Sequence, residues 1–466
     1  MGVRSDEVTR GGRVSNPTSH LKYAGRFAFA SRFAEASRAL LRARRWVGLE
    51  TRPPGVIAAV MVMVAVVVSA LALGGCSVQK AAPGPTVVLI GGGLEADNEP
   101  VLSACIDRGS RGVIVLVPWA SGDQAGAAGN ATKMFAAHAP GATIVVAPDP
   151  ETDAAGAVAA IERVKGHGDL LYFTGGDQSR ITKRVLAPQQ AALLAKIREV
   201  AARPGVILGG TSAGAAVMSD PMFTGGRSDA ALSSTPLRAE KGDDEDNVDD
   251  EPKVGPRLAP GLGLVKDVIV DTHFAQRGRL GRLIAAVEAS GAKFGIGLKE
   301  NRGVVWNGSA AVPIDGPEGS IMVDLRQMTR HGDDRLGVRV AMIAPLQYRS
   351  ARGSTLPICE AYEIDADRGA TRRAQEKVVA EAMPRIQLIA GTPVKPGRGP
   401  WAKNEVTHMI RRLAVEPSMA QVTKGQFFEL TLRADERTVF QPVVDGNGTQ
   451  VGINAWGVIA DVRRVR

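Results

Sequence analysis

The chain has 466 residues, 44% of them hydrophobic and 23% charged, with a formal net charge of +9. The length gives room for two or three domains, and the hydrophobic fraction is that of a folded protein. Much of the positive excess lies in the first fifty residues, among them Arg4, Arg10, Arg13, Arg42, Arg44 and Arg45. With 4% aromatic residues and no nucleic-acid module in the remainder of the chain, the composition argues against nucleic acid as a partner.

Val56 to Leu73 is almost unbroken Val, Ala, Ile, Met and Leu, and it leads into Leu73-Gly74-Gly75-Cys76. Small residues before a cysteine suit a lipoprotein signal. Residues 1–75 are therefore expected to be a basic leader and signal segment, with Cys76 carrying a lipid that holds the body in the bacterial cell envelope, outside the cytoplasm. The run is also near the length of a bilayer span, so a single membrane-spanning helix is the alternative anchor. Residues 76–85, with their Ala, Gly and Pro, read as a tether. Cys105 and Cys359 remain, too few and too far apart for a metal constellation or a disulfide framework, so no metal and no cofactor is expected.

Apolar runs at Thr86–Ile90, Val113–Val117, Thr143–Ala147, Leu170–Phe173 and Val206–Leu208 read as buried strands. Helical patterns separate them at Pro100–Asp107, Ala125–His138, Ala154–Lys165 and Gln189–Ala202. This alternation predicts an α/β fold: a doubly wound, mostly parallel sheet, with a site beyond the carboxyl ends of its strands. Gly-rich turns follow three strands, at Gly91-Gly92-Gly93, Gly175-Gly176 and Gly209-Gly210. The first lacks the G-x-G-x-x-G spacing of a dinucleotide site, and close approach of backbone to a substrate accounts for the glycines as well. Glu240–Glu251 is too acidic to pack and is expected to be an exposed insertion, within residues 240–256. Strands at Val268–Val270, Phe294–Leu298 and Val304–Trp306 come next, with a helix at Leu280–Ala289. Past about residue 330 the alternation fades. Helical patterns at Thr371–Met383 and Val406–Leu413, with strand patterns at Phe427–Leu432, Val439–Val444 and Val458–Val462, suggest a separate, smaller α+β or β-rich appendage over 331–466.

The stretch Val206-Ile-Leu-Gly-Gly-Thr-Ser212-Ala-Gly-Ala-Ala-Val-Met218 breaks at glycines, presents one serine and resumes as small helix formers. It reads as a nucleophile elbow, with the Ala213 amide aimed at an oxyanion. An ordinary Gly-rich strand-to-helix turn has the same composition. A serine nucleophile needs a base, and the base needs an orienting acid. His273 ends one predicted strand and Glu300 lies just past another, at the sheet edge expected for Ser212, whereas His138 and His167 read as solvated. His273 is also compatible with a core histidine, and Glu300 with a surface acid paired to Lys299.

Three separated stretches occur in one order. They are Tyr172-Phe173-Thr174-Gly175-Gly176-Asp177-Gln178, Gly210-Thr211-Ser212-Ala213-Gly214-Ala215, and Asp271-Thr272-His273-Phe274-Ala275-Gln276-Arg277-Gly278-Arg279-Leu280-Gly281-Arg282-Leu283. Together they resemble the cyanophycinase and aspartyl dipeptidase family of serine peptidases, over roughly residues 86 to 325. The resemblance implies a fold like that of class I glutamine amidotransferases, with 86–330 as the catalytic domain. It implies Ser212 as nucleophile, His273 as base and Glu300 as the acid, with the amides of Gly176 and Ala213 as the oxyanion donors. It places Asp177 and Gln178 in a substrate-positioning loop, and Arg277, Arg279 and Arg282 on the carboxylates of an aspartate-rich peptide. In one departure, the family's usual Gly-Ile-Asp-Glu at the acid is replaced by Gly297-Leu298-Lys299-Glu300, which puts a lysine beside the acid. The implied activity is hydrolysis of aspartate-rich peptides such as cyanophycin to dipeptides. Short Asp-X peptides are the alternative substrate, and a catalytically silent binding protein is the alternative role. Expected partners are the peptide, the membrane through an N-terminal lipid or helix, and a second copy in a homodimer.

Overall fold

The first half of the described chain alternates strand and helix: β1 (Thr86–Ile90), α1 (Glu99–Cys105), β2 (Val113–Val117), α2 (Gln124–His138), β3 (Thr143–Val146), α3 (Ala154–Ile161), β4 (Leu170–Phe173), α4 (Gln178–Val185), α5 (Ala191–Ala201), β5 (Ile207–Thr211) and α6 (Ala213–Ala216). Next come β6 (Met222–Gly225), α7 (Ser228–Leu232), β7 (Arg257–Ala259), β8 (Val268–Asp271), α8 (Leu280–Ser290), β9 (Phe294–Gly297), β10 (Gly303–Trp306) and β11 (Ala310–Pro313). The rest is strand-rich: β12 (Ser320–His331), β13 (Arg335–Ile343), β14 (Gln347–Tyr348), β15 (Tyr362–Glu363), α9 (Glu405–Val415), β16 (Gln421–Lys424), β17 (Phe428–Arg433), β18 (Val439–Asp445) and β19 (Gln450–Arg464). This is a computed structural model, and it describes residues 86–166, 168–234, 254–306, 310–314, 320–331, 335–343, 347–348, 362–363, 386–389, 391–397, 399–445 and 449–465. The leader and signal segment, Cys76 and the tether, His167, Glu240–Glu251, Cys359 and Thr371–Met383 lie outside the described residues.

Side chains start four of the early helices. Asn98 accepts from the Val101 amide, Asp123 from Gly126, Asp153 from Gly156 and Asp177 from Ser179, each cap contributing about 1 kcal/mol. Strands β1, β5, β4, β2 and β3 lie side by side in that order, all parallel. Alternate strand residues enter different cores. Val87, Leu89, Val115, Val117, Leu171 and Phe173 pack with Ile161, Leu193 and Ile197 of α3 and α5. Val88, Ile90, Ile114, Leu116, Leu170 and Tyr172 pack with Leu102 and Phe135 of α1 and α2. Burial on both faces is why β1, β2 and β4 are continuously apolar, whereas β3, expected to be buried, is the edge strand with Thr143 and Val146 exposed. The doubly wound, mostly parallel sheet expected from the sequence is present, with an antiparallel margin in which β10 pairs with β1, β11 with β10, and β15 with β11.

A second sheet runs β14-β18-β19-β13-β12-β9-β8, with β17 also paired to β19 and β16 to β17. The C-terminal part is thus β-rich, as expected, and residue 330, the expected start of the appendage, lies within this second sheet. That position falls inside β12, and the second sheet begins on β8 and β9 of the expected catalytic segment. Val406, Ile410, Phe428 and Val458 share one cluster with Ile269, Leu280 and Leu283, and Ala82–Arg466 forms one compact unit. Strands β5 and β10 pair with the two edges of β1, while β8 and β9 pair with each other and, through β12, with the second sheet. Helix α4 and the β12–β13 pair were not expected from the sequence.

Candidate active site

Ser212 sits between β5 and α6 with φ +52° and ψ −118°. A non-glycine residue there costs on the order of 1–3 kcal/mol and persists because its surroundings hold it. The Ser212 amide donates to the Ile90 carbonyl at 3.0 Å, and the Ser212 carbonyl accepts from the Ala215 and Ala216 amides, each at 3.0 Å. A Cβ at Gly210 would overlap the Gly214 carbonyl, and one at Gly214 would overlap the Phe173 carbonyl, so the turn requires small residues on both sides of the serine.

Ser212 Oγ lies 2.7 Å from His273 Nε2. On the far side of the ring, His273 Nδ1 lies 2.7 Å from Glu300 Oε1. With Nδ1 donating to the carboxylate, Nε2 is left to accept from the serine hydroxyl. The His273 side chain is 16% exposed and that of Glu300 39%, so the imidazole is shielded while the carboxylate reaches water. Burial holds the His273 pKa below its ordinary 6.5; the charges of Arg277 and Arg279 push the same way, and Glu300 opposes them. The imidazole is therefore neutral near pH 7, the form that can take a proton.

Contrary to the sequence-based expectation, these residues do not share a sheet edge. Ser212 follows a strand of the first sheet, while His273 and Glu300 follow β8 and β9 of the second. The Gly91-Gly92-Gly93 turn after β1 joins them. The Ile90 carbonyl accepts from Ser212, the Gly91 carbonyl accepts from the His273 amide at 2.8 Å, and the Gly92 carbonyl accepts from the Asn301 amide at 2.7 Å. A Cβ at Gly91 would overlap the Lys299 carbonyl. The histidine ring crowds Gly92 and the Lys299 backbone crowds Gly91, which accounts for two of the three glycines of this turn.

The remaining expected site residues divide. A Cβ at Gly175 would stand 3.4 Å from the Ser212 Cβ, so the Gly175-Gly176 loop borders the serine. Gly176 is exposed with φ +140°, and Ala213 is the first residue of α6. Asp177 is exposed and caps α4. Gln178 is turned away, its Nε2 donating to the Phe223 carbonyl at 2.7 Å. Arg279 and Arg282 are 8% and 3% exposed and face the buried carboxylate of Asp271. Arg282 donates through Nε to Asp271 Oδ2 at 2.8 Å and through Nη2 to Oδ1, and its guanidinium lies over the Phe223 ring. Arg279 Nη1 donates to the Thr272 carbonyl at 2.6 Å. The two arginines, three positions apart at the start of α8, both turn inward because a buried carboxylate needs cationic partners. Arg277 is half-buried, and its charge acts on His273.

Lys299 is buried, and its charge reaches His408 on α9. His138, expected to be solvated, is buried with Nε2 2.9 Å from the Ile106 carbonyl. Sequence reasoning missed Gln276, whose Oε1 accepts from the Glu300 amide at 3.3 Å, and Asn301, which holds φ +51° beside the acid. An Asn directly after a strand-end acid is the signal that could have found the second. Among the described residues, no group of three or more His, Cys, Asp or Glu side chains could hold a metal ion. Nor is any of their helices long and apolar enough to cross a membrane.

A model of peptidase family S51 matches residues 87–314. A cyanophycinase from Nostoc sp. is 32% identical over 260 residues, covering 54% of this chain and 78% of the relative. A cyanophycinase from Trichormus variabilis matches with the same identity and coverage, 32%, 54% and 78%. The crystal structure of a peptidase from an acI-B1 Actinobacterium covers 61% of this chain and 100% of its own, at 16% identity and a TM-score of 0.34. On the family match and the extent of the cyanophycinase relatives it spans, the chain is a serine-type peptidase and belongs to peptidase family S51.

Proposed function

We propose that this is a cyanophycinase-like exopeptidase that hydrolyses aspartate-rich peptides to dipeptides through Ser212, His273 and Glu300. The observation that carries the reading is the continuous chain of two 2.7 Å contacts, Ser212 Oγ to His273 Nε2 and His273 Nδ1 to Glu300 Oε1, with the serine on a strained elbow. Ser212 Oγ attacks the scissile carbonyl carbon while its proton passes to His273 Nε2. The tetrahedral oxyanion meets the amides of Ala213 and Gly176, where pre-aimed donors lower the barrier most. Collapse breaks the C–N bond as Nε2 returns the proton to the leaving amine. A water, deprotonated by the same imidazole, then attacks the ester, releases the acid product and restores the serine.

The resemblance and the charged residues that flank the serine and histidine segments support this substrate class. Cyanophycin carries arginine on the side-chain carboxylates of a polyaspartate backbone, so its enzyme needs both a cation and an anion at the site. Arg279 and Arg282 are buried against Asp271, whereas Arg277 is half-buried with its charge acting on His273, which makes it the candidate for a substrate carboxylate and the exposed Asp177 that for a guanidinium. The reading includes lipidation at Cys76 and a place in the cell envelope, supported by the apolar run that ends at Leu73-Gly74-Gly75.

Labelling with a serine-directed phosphonate should modify Ser212, and Ser212→Ala should abolish hydrolysis of cyanophycin, a short Asp-X peptide and a neutral peptide alike. Retained activity in that variant removes Ser212 as the nucleophile. Among wild-type rates, preference for cyanophycin supports the proposal, and preference for the short Asp-X peptide makes the enzyme a dipeptidase. Mass spectrometry of the mature N-terminus decides the anchor, since a retained Val56–Leu73 segment means a membrane-spanning helix.

A further inference from the structure

We propose that Trp401 and Asn404, which lie beyond the matched residues 87–314, are positioning residues for His273, so that the C-terminal part of the chain is built into the working site. The inference rests on His273 as the catalytic base.

Residues 274–279 carry the chain from His273 to the start of α8. From within, the Arg277 amide donates to the His273 carbonyl at 3.1 Å and the Arg279 amide to the Phe274 carbonyl at 3.1 Å. From the C-terminal part, the Asn404 amide donates to the Ala275 carbonyl at 2.7 Å. Asn404 precedes α9 with φ +59°, a left-handed conformation that Asn tolerates better than most residues. Gly278, three residues on from Ala275, lies so close to Trp401 that a Cβ there would overlap the Trp401 carbonyl.

The indole of Trp401 completes the brace. Its Nε1 donates to Asp229 on α7, and its Cη2 would stand 3.0 Å from a Cβ at Gly281. The neighbouring Ser228 Oγ donates to the Gly278 carbonyl at 2.7 Å. The loop is thus gripped by α7 on one side and by Trp401 and Asn404 on the other. The brace is itself anchored: Val406, Met409, Ile410 and Leu413 of α9 are buried in the core of the second sheet, and Arg412 pairs with Glu405 at 2.8 Å in the interior.

The grip falls where the site is sensitive. Ala275 adjoins Gln276, which accepts from the Glu300 amide, and His273 holds φ +49°, a conformation that outside contacts must maintain. Loosening the brace therefore changes the Ser212–His273 separation without deleting a reacting group, and lets water reach an imidazole that is now shielded.

The test uses the full chain with Trp401→Phe and Gly278→Ala, read by kcat, KM, the pH profile of kcat/KM, the phosphonate labelling rate of Ser212, and the melting temperature. Trp401→Phe keeps an aromatic ring and loses the bond to Asp229; Gly278→Ala pushes the Trp401 carbonyl off the loop. The expected result is a fall in kcat of about ten- to a hundredfold, since small displacements at a reacting centre have effects of that size. KM should change less than about twofold, labelling should slow in parallel, and the acid limb should move toward pH 6.5, the ordinary histidine value. A lower melting temperature with kcat, pH limb and labelling unchanged overturns the inference and leaves Trp401 a structural residue. If Gly278→Ala does not fold, Trp401→Phe decides by the same readouts. Absence of Ser212 labelling in the wild type sinks the triad itself, an outcome distinct from normal wild-type labelling with unchanged variants.

Discussion

Gly92 lies directly against the imidazole of His273: a Cβ built on it would stand 2.5 Å from Nε2, and its φ of +101° is one that L side chains rarely adopt. The position is reserved by the ring. Gly92→Ala should displace either the turn or the histidine and lower kcat/KM by about a hundredfold or more, with a backbone cost of roughly 1–3 kcal/mol seen in thermal melting. A loss smaller than about tenfold in steady-state kinetics would show that the base does not work from this ring position.

The pH profile follows from the environment of His273. Burial lowers its pKa below 6.5, Arg277 lowers it further, and Glu300 raises it. Because the protonated ring cannot accept the serine proton, kcat/KM should rise with pH through an apparent pKa below 6.5 and be level at neutral pH. Arg277→Gln should move that limb toward alkali, and Glu300→Gln toward acid. A wild-type limb above 6.5, or opposite movements in the variants, contradicts this assignment.

Arg282 and Asp271 form a buried pair, so Arg282→Met takes the bidentate partner from a buried carboxylate and leaves it Arg279, at 3.5 Å, as a weaker one. Breaking one side of such a pair costs about 3–5 kcal/mol. Thermal or urea unfolding should show it, and any loss of activity should fall equally on acidic and neutral peptides. If stability is unchanged and only aspartate-containing substrates suffer, the arginine reaches the substrate after all.

Arg277 is expected to carry the preference for carboxylates. Arg277→Gln should raise KM for aspartate-containing peptides by about tenfold, the size of one charge-assisted hydrogen bond, while a neutral peptide of equal length changes little. The comparison of the two KM values decides it, and a uniform change would assign Arg277 to the electrostatics of His273 alone.

The elbow was legible because its requirements are local: an apolar strand, one serine, and glycines on both sides where Gly214 and Phe173 carbonyls crowd the turn. His273 and Glu300 were legible as polar residues closing apolar runs, although not their membership of a second sheet. A four-residue parallel strand such as β8 has the same composition whichever sheet takes it, so its own residues do not reveal that its partner is β9 of the second sheet. The fates of Arg279 and Arg282 were hidden for a related reason. Their i,i+3 spacing gives a common face, but only the tertiary fold reveals that Asp271 lies beneath it. Helix α4 was overlooked because its Gly175-Gly176 approach reads as loop, although Asp177 followed by Ile181 and Val185 carries both the cap and the buried positions of a short helix.

Ser212, His273 and Asn301 each hang by an amide from one of three consecutive carbonyls, those of Ile90, Gly91 and Gly92. Shear of one sheet past the other therefore reaches all three as common-mode displacement. The separations between reacting atoms are differences, in which a shared translation cancels. A site assembled from distant parts of the chain gains in this way the dimensional tolerance of one carried by a single peptide segment.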